Sequence, residues 1–142
     1  MASSYEIEYF FKDNPHFIGC FASDNLPKNK LKLPCSLIIN TDPQTKKGDH
    51  WLGVKLTQNK GYYFDSFGLG IVNQNIINFF KQYYTKVTVN NECIQHHSSE
   101  KCGLYCIAFI NNVNSRISYE QFISQFDLVH LMNNDKIVLS LL

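Results

Sequence analysis

One stretch of the chain concentrates residues that do chemistry. The nineteen residues NECIQHHSSEKCGLYCIAF (91–109) hold Cys93, Cys102, Cys106, His96, His97 and Gln95. Such residues serve three chemistries: metal binding, disulfide cross-linking, and nucleophilic attack by a thiol. The cysteines (20, 35, 93, 102 and 106) are odd in number, and the opening MASSYEIE lacks the basic-then-apolar profile of a secretory leader. A disulfide scaffold is therefore not expected. Cys102 and Cys106, with His96 and His97 nearby, match no standard zinc spacing, and no second ligand pair occurs elsewhere. No metal and no cofactor is expected, although a zinc module stays as a rival that metal analysis would settle.

The two cysteines four residues apart read differently. Cys106 sits inside a nearly apolar run and suits a core thiol. Cys102 follows Glu100-Lys101 and precedes Gly103, at the start of the same run. A thiol there feels the positive end of a helix dipole, which favours the nucleophilic thiolate. Gly103 would let another backbone approach closely.

Thiol hydrolysis needs more: an imidazole to carry the proton, a group to orient it, and donors for the oxyanion. His50, beside Trp51, is the candidate base. Asp65 is the candidate orienter, and Gln95, seven residues before Cys102, the candidate oxyanion donor. Each has a plainer reading. A lone strand histidine is usually structural, His16, His96, His97 and His130 compete with His50, and Asp65 equally suits a turn cap.

The elements that must position these residues follow from pattern. HWLGVKL and GYYFDSFG read as a hairpin turning at Gln58-Asn59, which puts Asp65 opposite Leu52. His50 would share a face with Leu52, Val54 and Leu56 and sit diagonal to Asp65, roughly 7–8 Å away. YEIEYFFKDN reads as a short helix, GCFASDNLP as a loop, and Cys35–Ile39 as a buried strand. Apolar positions 72, 76, 79, 80 and 83 predict a helix, KVTV a short strand, and CGLYCIAFINNVN a buried helix starting near Cys102. Ser118 with Gln121 forms a capping box opening a helix over YEQFISQFDLVHLM, and NNDKIVLSLL closes the chain as helix or strand.

The chain has 142 residues, 44% hydrophobic and 18% charged, with a net charge of +1. These values predict one folded domain over 1–142 and give no support for a nucleic-acid or membrane surface. No apolar run spans a bilayer. A monomer made inside a cell is expected.

Taken together and in order, these segments resemble the adenovirus-type cysteine proteases, including those of Polinton/Maverick elements and virophages. More distantly they resemble the SUMO-deconjugating proteases. The resemblance runs from Gly19 to about Phe109. It rests on GCFASDNLP, on NTDP…GDHWLGV (similar to the strand bearing the family's histidine), on YYFDSFG (its acidic residue) and on IQHHSSEKCGLYCIAF (its glutamine, nucleophile and helix). It implies an α+β, papain-like fold: a small mixed sheet flanked by helices, with the nucleophile at a helix N-terminus. It also implies Cys102 as nucleophile, His50 as base, Asp65 as orienter (where the adenoviral enzyme has Glu), and Gln95 with the Cys102 backbone N–H as oxyanion donors. The implied activity is maturation of viral capsid precursors at glycine-containing sites, in the host cytoplasm or nucleus and in the virion. A glycine-selective site would be a narrow slot, for which Trp51 is the candidate wall and Gly103 a candidate neighbour. A plain core tryptophan is as good a reading of Trp51. Activation by a peptide or by DNA, known in the family, gains no support from the charge or from Cys93. Two rivals remain: a deconjugase of a ubiquitin-like modifier, and a binding module that kept the fold.

Overall fold

Six consecutive buried residues, Cys35–Asn40, form the strand β2. Both faces of this strand, Ser36 and Asn40 on one of them included, are covered in this computed structural model, which describes residues 2–42 and 50–142. The part of the histidine motif that falls on 43–49 lies outside the described residues. The sheet runs in the order β1 (Phe17–Ala22), β2, β3 (Trp51–Leu56), β4 (Gly61–Phe64), β5 (Val87–Val89). The outer pairs are parallel and the two inner pairs antiparallel.

The helices are α1 (Ser4–Phe10), α2 (Gln74–Lys81), α3 (Cys102–Asn112), α4 (Tyr119–Ile123) and α5 (Asn134–Ser140), with a 3-10 turn at Leu131–Asn133. Helix α2 buries Ile76, Phe79 and Phe80 against Leu37, Ile39, Leu52, Val54, Leu56 and Tyr63 on one sheet face. The other face, with Ile38, Trp51 and Phe64, packs against α3 and against residues from α1, α4 and α5. This is the α+β arrangement expected, with Cys102 opening α3.

Helix α3 lies along β3 and meets its odd-numbered residues in turn. At one end, the Trp51 N–H donates to Cys102 Sγ (3.5 Å) and the Cys106 thiol donates to the Trp51 carbonyl (3.3 Å). In the middle, Gly53 leaves room for Phe109. At the far end, Lys55 Nζ donates to the carbonyls of Ile110 (3.0 Å) and Val113. A cation there satisfies the last carbonyls and the negative end of the helix dipole. A strand whose even positions are all apolar thus carries a second contact face made from a backbone group, a missing side chain and a partly buried lysine.

The hairpin register is the expected one: Gly53 pairs with Phe64 and Val54 with Tyr63, across a turn closed by the Thr57 N–H to Lys60 carbonyl bond. Four expectations need correction. Residues 17–22 form an edge strand where a loop was expected over GCFASDNLP; the register shift between Phe17 and Cys20 at Gly19 (φ +135°) breaks the alternation that would have revealed it. Helix α2 is shorter than its apolar spacing suggests. The Asn73 carboxamide caps the N–H groups of Asn75 and Ile76, leaving Val72 outside and 84% exposed. Helix α4 starts from its capping box at Ser118 but stops at Ile123. Beyond it the Asp127 carboxylate accepts the N–H groups of Val129 and His130, and the buried Asn134 ties Asp127 to Ile94, which holds a turn where the periodicity suggests a continuous helix. Finally, His50 precedes the first residue of β3, so it escapes the alternation that would have put it on the face of Leu52, Val54 and Leu56.

A Cβ at Gly53 would lie 2.9 Å from Phe109 Cδ2. Phe109 cannot swing aside, because it is fully buried and stacked on Phe64 at 5.0 Å. Gly53→Ala should therefore destabilise the protein by about 1–3 kcal/mol, the usual cost of overpacking. Urea unfolding should show a lower midpoint with an unchanged slope; an unchanged midpoint would contradict the close docking of α3 on β3.

Candidate active site

Two strand ends and one helix start converge at one end of the sheet. His50 lies just before β3 and Asp65 just after β4. In the register of the hairpin their side chains meet: His50 Nε2 lies 2.7 Å from Asp65 Oδ1. His50 is also hydrogen-bonded to Cys102. With Nε2 taken by Asp65, the other ring nitrogen, Nδ1, is the one left for the thiol.

The electrostatics follow from this contact pattern. Burial disfavours a charged imidazole, but the hydrogen bonds to Asp65 and Cys102 and their negative charges outweigh it. His50 is pushed up from 6.5 to about 9. The imidazolium is thus held between a carboxylate and a sulfur. Helix α3 adds to this, because Lys101 at its N-cap supplies no side-chain cap and its first turn carries no acidic residue. The positive end of its dipole is directed at Cys102.

Cys102 and Cys106 are both buried, yet their bonds have opposite polarity. Cys102 sulfur accepts an N–H, whereas Cys106 donates its S–H, which requires a thiol. Burial, with negative charge at Cys102 and Asp65 adding to it, pushes the Cys106 thiol well up. Cys93, expected to be a core thiol, is exposed, and its S–H donates to the Gln95 carbonyl. None of the five cysteines is in a disulfide. Among the described residues no group of three His, Cys, Asp or Glu side chains is placed to hold a metal ion.

Asp65 is held by its own loop. Oδ1 accepts the Phe67 N–H (2.9 Å) as well as His50, and Oδ2 accepts the Leu69 N–H (3.3 Å). Gly68 closes the turn onto the Asp65 carbonyl at φ +69°, where a Cβ would lie 2.7 Å from the Glu92 backbone. The turn-cap and ring-orienting readings of Asp65 are thus one arrangement. The Phe67 ring lies 4.7 Å from the His50 ring, centroid to centroid, which suits a cationic imidazole.

Several of these groups escape a reading of the sequence. Asn90, 4% exposed, bonds both backbone groups of Asp65: Oδ1 accepts its N–H and Nδ2 donates to its carbonyl. Tyr119 donates its hydroxyl to Asn90 Oδ1 (2.9 Å). Phe67 and Gly68 had a signal, since Asp-x-x-Gly favours a turn of this kind. Asn90 had none beyond its position after a short strand.

Gln95 is buried, with Oε1 accepting from Ser66 Oγ and Nε2 donating to the Ser99 carbonyl (2.9 Å). Trp51 is 7% exposed, and its indole N–H donates to the Ala2 carbonyl (2.9 Å). Gly103 is crowded by side chains, not by the backbone expected there: a Cβ would lie 3.2 Å from Ala2 Cβ and 3.3 Å from Ile7 Cδ1 and Trp51 Cδ1. Trp51 and Gly103 thus face each other under the N-terminal segment. Among the described residues, no buried carboxylate pairs with His96, His97 or His130. His96 and His97 stack on each other, and His130 pairs with Asp127 at 3.5 Å with its side chain 75% exposed.

No protein-family model matches the chain. Among curated proteins it is similar to the protease of bovine adenovirus 7, at 27% identity over 58% of this chain and 48% of that protein. Among solved structures it aligns with the crystal structure of the ASFV pS273R protease, at 26% identity and a TM-score of 0.42, covering 70% of this chain and 42% of that one. The chain therefore spans about half the length of the adenoviral relative. The similarity to the adenoviral protease agrees with the motif resemblance to the adenovirus-type proteases.

Asp65→Asn should bring His50 down from about 9 toward its ordinary 6.5, since the carboxylate favours the charged ring. An NMR titration of the His50 ring protons measures this, and a value still near 9 would contradict the assignment. The sign carries over to stability. A raised histidine stabilises fully below its unfolded value of about 6.5 and loses that contribution as pH rises through about 9. Wild type should lose stability across that window, and Asp65→Asn should lose less.

Proposed function

We propose that this chain is a cysteine endopeptidase. The carrying observation is the part-buried 2.7 Å bond between His50 and Asp65, with the same imidazole bonded to Cys102 at the start of α3. The similarity to a protease of an adenovirus supports the same reading.

In this mechanism the Cys102 thiolate attacks the scissile carbonyl and a C–S bond forms. The oxyanion is held by the Cys102 backbone N–H, in the first turn of α3, and by the Gln95 carboxamide. Collapse breaks the C–N bond, and imidazolium His50 gives its proton to the leaving amine. Neutral His50 then takes a proton from water, which hydrolyses the thioester and restores the pair. Asp65 holds the ring in the tautomer and orientation that both steps need. Trp51 and Gly103, packed together beside Cys102 and covered by the N-terminal segment, would touch substrate only if that segment moved aside.

The substrate is a polypeptide. By resemblance to the adenovirus-type proteases we assign it to viral capsid precursors, cut at glycine-containing sites during particle maturation. On this reading residues 1–142 act as one monomeric protease domain, in the infected cell and in the virion.

Incubation with a proteome-derived peptide library, with cleavage mapped by mass spectrometry, tests the proposal. Wild type should cut with glycine enriched beside the bond, and Cys102→Ala should be inert while unfolding at a similar urea concentration. Cys93→Ala and Cys106→Ala should keep the cleavage pattern, with losses in Cys106→Ala arising from packing. Persistent cleavage by Cys102→Ala would overturn the nucleophile. Cleavage without glycine preference would overturn the substrate class and leave the chemistry standing.

A further inference from the structure

The Gln95 carboxamide is fixed at both ends. Gln95 is 1% exposed and Ser66 is fully buried. The Ser99 carbonyl can only accept, so the amide nitrogen must face Ser99 and Oε1 must face the Ser66 hydroxyl. The Ser66 carbonyl also accepts the N–H groups of Ile94 (2.9 Å) and Gln95 (3.1 Å), so Ser66 holds this residue by backbone and side chain together. On the other side the Ser99 hydroxyl donates to Asp135 Oδ1 (2.9 Å) and accepts the Lys101 N–H (3.2 Å). Asp135, on α5, is held in turn by the Tyr105 hydroxyl (2.8 Å).

The two amide hydrogens of Gln95 are not equally committed. The amide nitrogen makes a 2.9 Å bond to the Ser99 carbonyl and reaches Ser99 Oγ only at 3.3 Å, and a primary amide has two hydrogens to give. A developing oxyanion is a stronger acceptor than a hydroxyl already accepting from Lys101. Exchanging the long contact for a charge-assisted bond stabilises the transition state more than the ground state.

We infer that Ser66 and Ser99 are positioning residues for the Gln95 carboxamide, so that the turn after β4 and helix α5 form part of the oxyanion apparatus. This rests on the reading of Gln95 as an oxyanion donor. It gives adjacent residues separate tasks: Asp65 orients the base, and Ser66 orients the donor.

The test compares two reactions of the same thiol. Acylation by N-acetylglycylglycine p-nitrophenyl ester develops an oxyanion. Alkylation by iodoacetamide, followed at the Cys102 peptide by mass spectrometry, develops none and reports the Cys102–His50 pair alone. Ser66→Ala should slow single-turnover acylation by about 10- to 100-fold, the scale of a misplaced catalytic group. It should leave the rate and pH profile of alkylation unchanged. Added to Gln95→Ala it should cost nothing further, and Ser66→Thr, which keeps the hydroxyl, should recover most of the rate. Ser99→Ala, at a less buried position, should show the same split and decides the matter should Ser66→Ala not fold. Wild-type acylation in both serine variants, beside a slow Gln95→Ala, would overturn the positioning roles and leave Gln95 in place. Equal losses in acylation and alkylation, or additive losses in the double variant, would overturn them too. Wild-type acylation in Gln95→Ala would remove the donor and the proposal with it.

Discussion

The seating of α3 on β3 is the constraint on which the site depends. The peptide groups of Trp51 lie between two cysteines one helical turn apart, giving an N–H to Cys102 and taking an S–H from Cys106. Because the strand bonds to sulfurs at positions 102 and 106, the helix can neither slide nor rotate without losing both. Gly53 and Lys55 continue the same contact toward the helix C-terminus. The result puts a sulfur at the sheet end, one residue from His50. A helix docked half a turn away would leave the imidazole without its partner. Cys106 is thus more than filler: its thiol supplies the second half of the clamp that sets the position of the first.

The second support is a layer of buried polar side chains around the β4 end. Asn90, Asp65, Ser66 and Gln95 are each at most 4% exposed, and among the described residues no buried side-chain nitrogen or oxygen lacks a hydrogen-bond partner. A satisfied buried network of this kind is rigid, since any displacement leaves a desolvated group unpaired. Tyr119 closes it from α4 and Asp135 from α5. The helices after α3 therefore matter to the site although they contribute no group to the chemistry.

Much of this was legible in the chain. The spacing across the Gln58-Asn59 turn put Asp65 opposite Leu52, and the structure keeps that register. The start of α3 at Cys102 followed from where the apolar run begins. Legibility failed where a polar side chain overrode a periodic signal. Asn73 started α2 late, and Asp127 with Asn134 broke the helix expected through Met132. It failed also where backbone irregularity hid a strand, as Gly19 did in β1. Long-range polar partners were invisible for a different reason. The bond from Asn90 to the Asp65 backbone joins residues 25 apart, and nothing local to either predicts it. His50 shows the two cases together: its pairing with Asp65 was readable from register, whereas its place off the strand's alternation was not.

The central claim is that one of five cysteines is activated by His50. Covalent capture tests it most directly: treat the protein with an N-acetylglycylglycine vinyl sulfone at neutral pH and map the adduct by mass spectrometry. The account predicts a single adduct on Cys102, absent in His50→Ala, with the exposed Cys93 unlabelled at the same reagent concentration. Labelling that goes to Cys93, or that persists on Cys102 at the wild-type rate without His50, would contradict it.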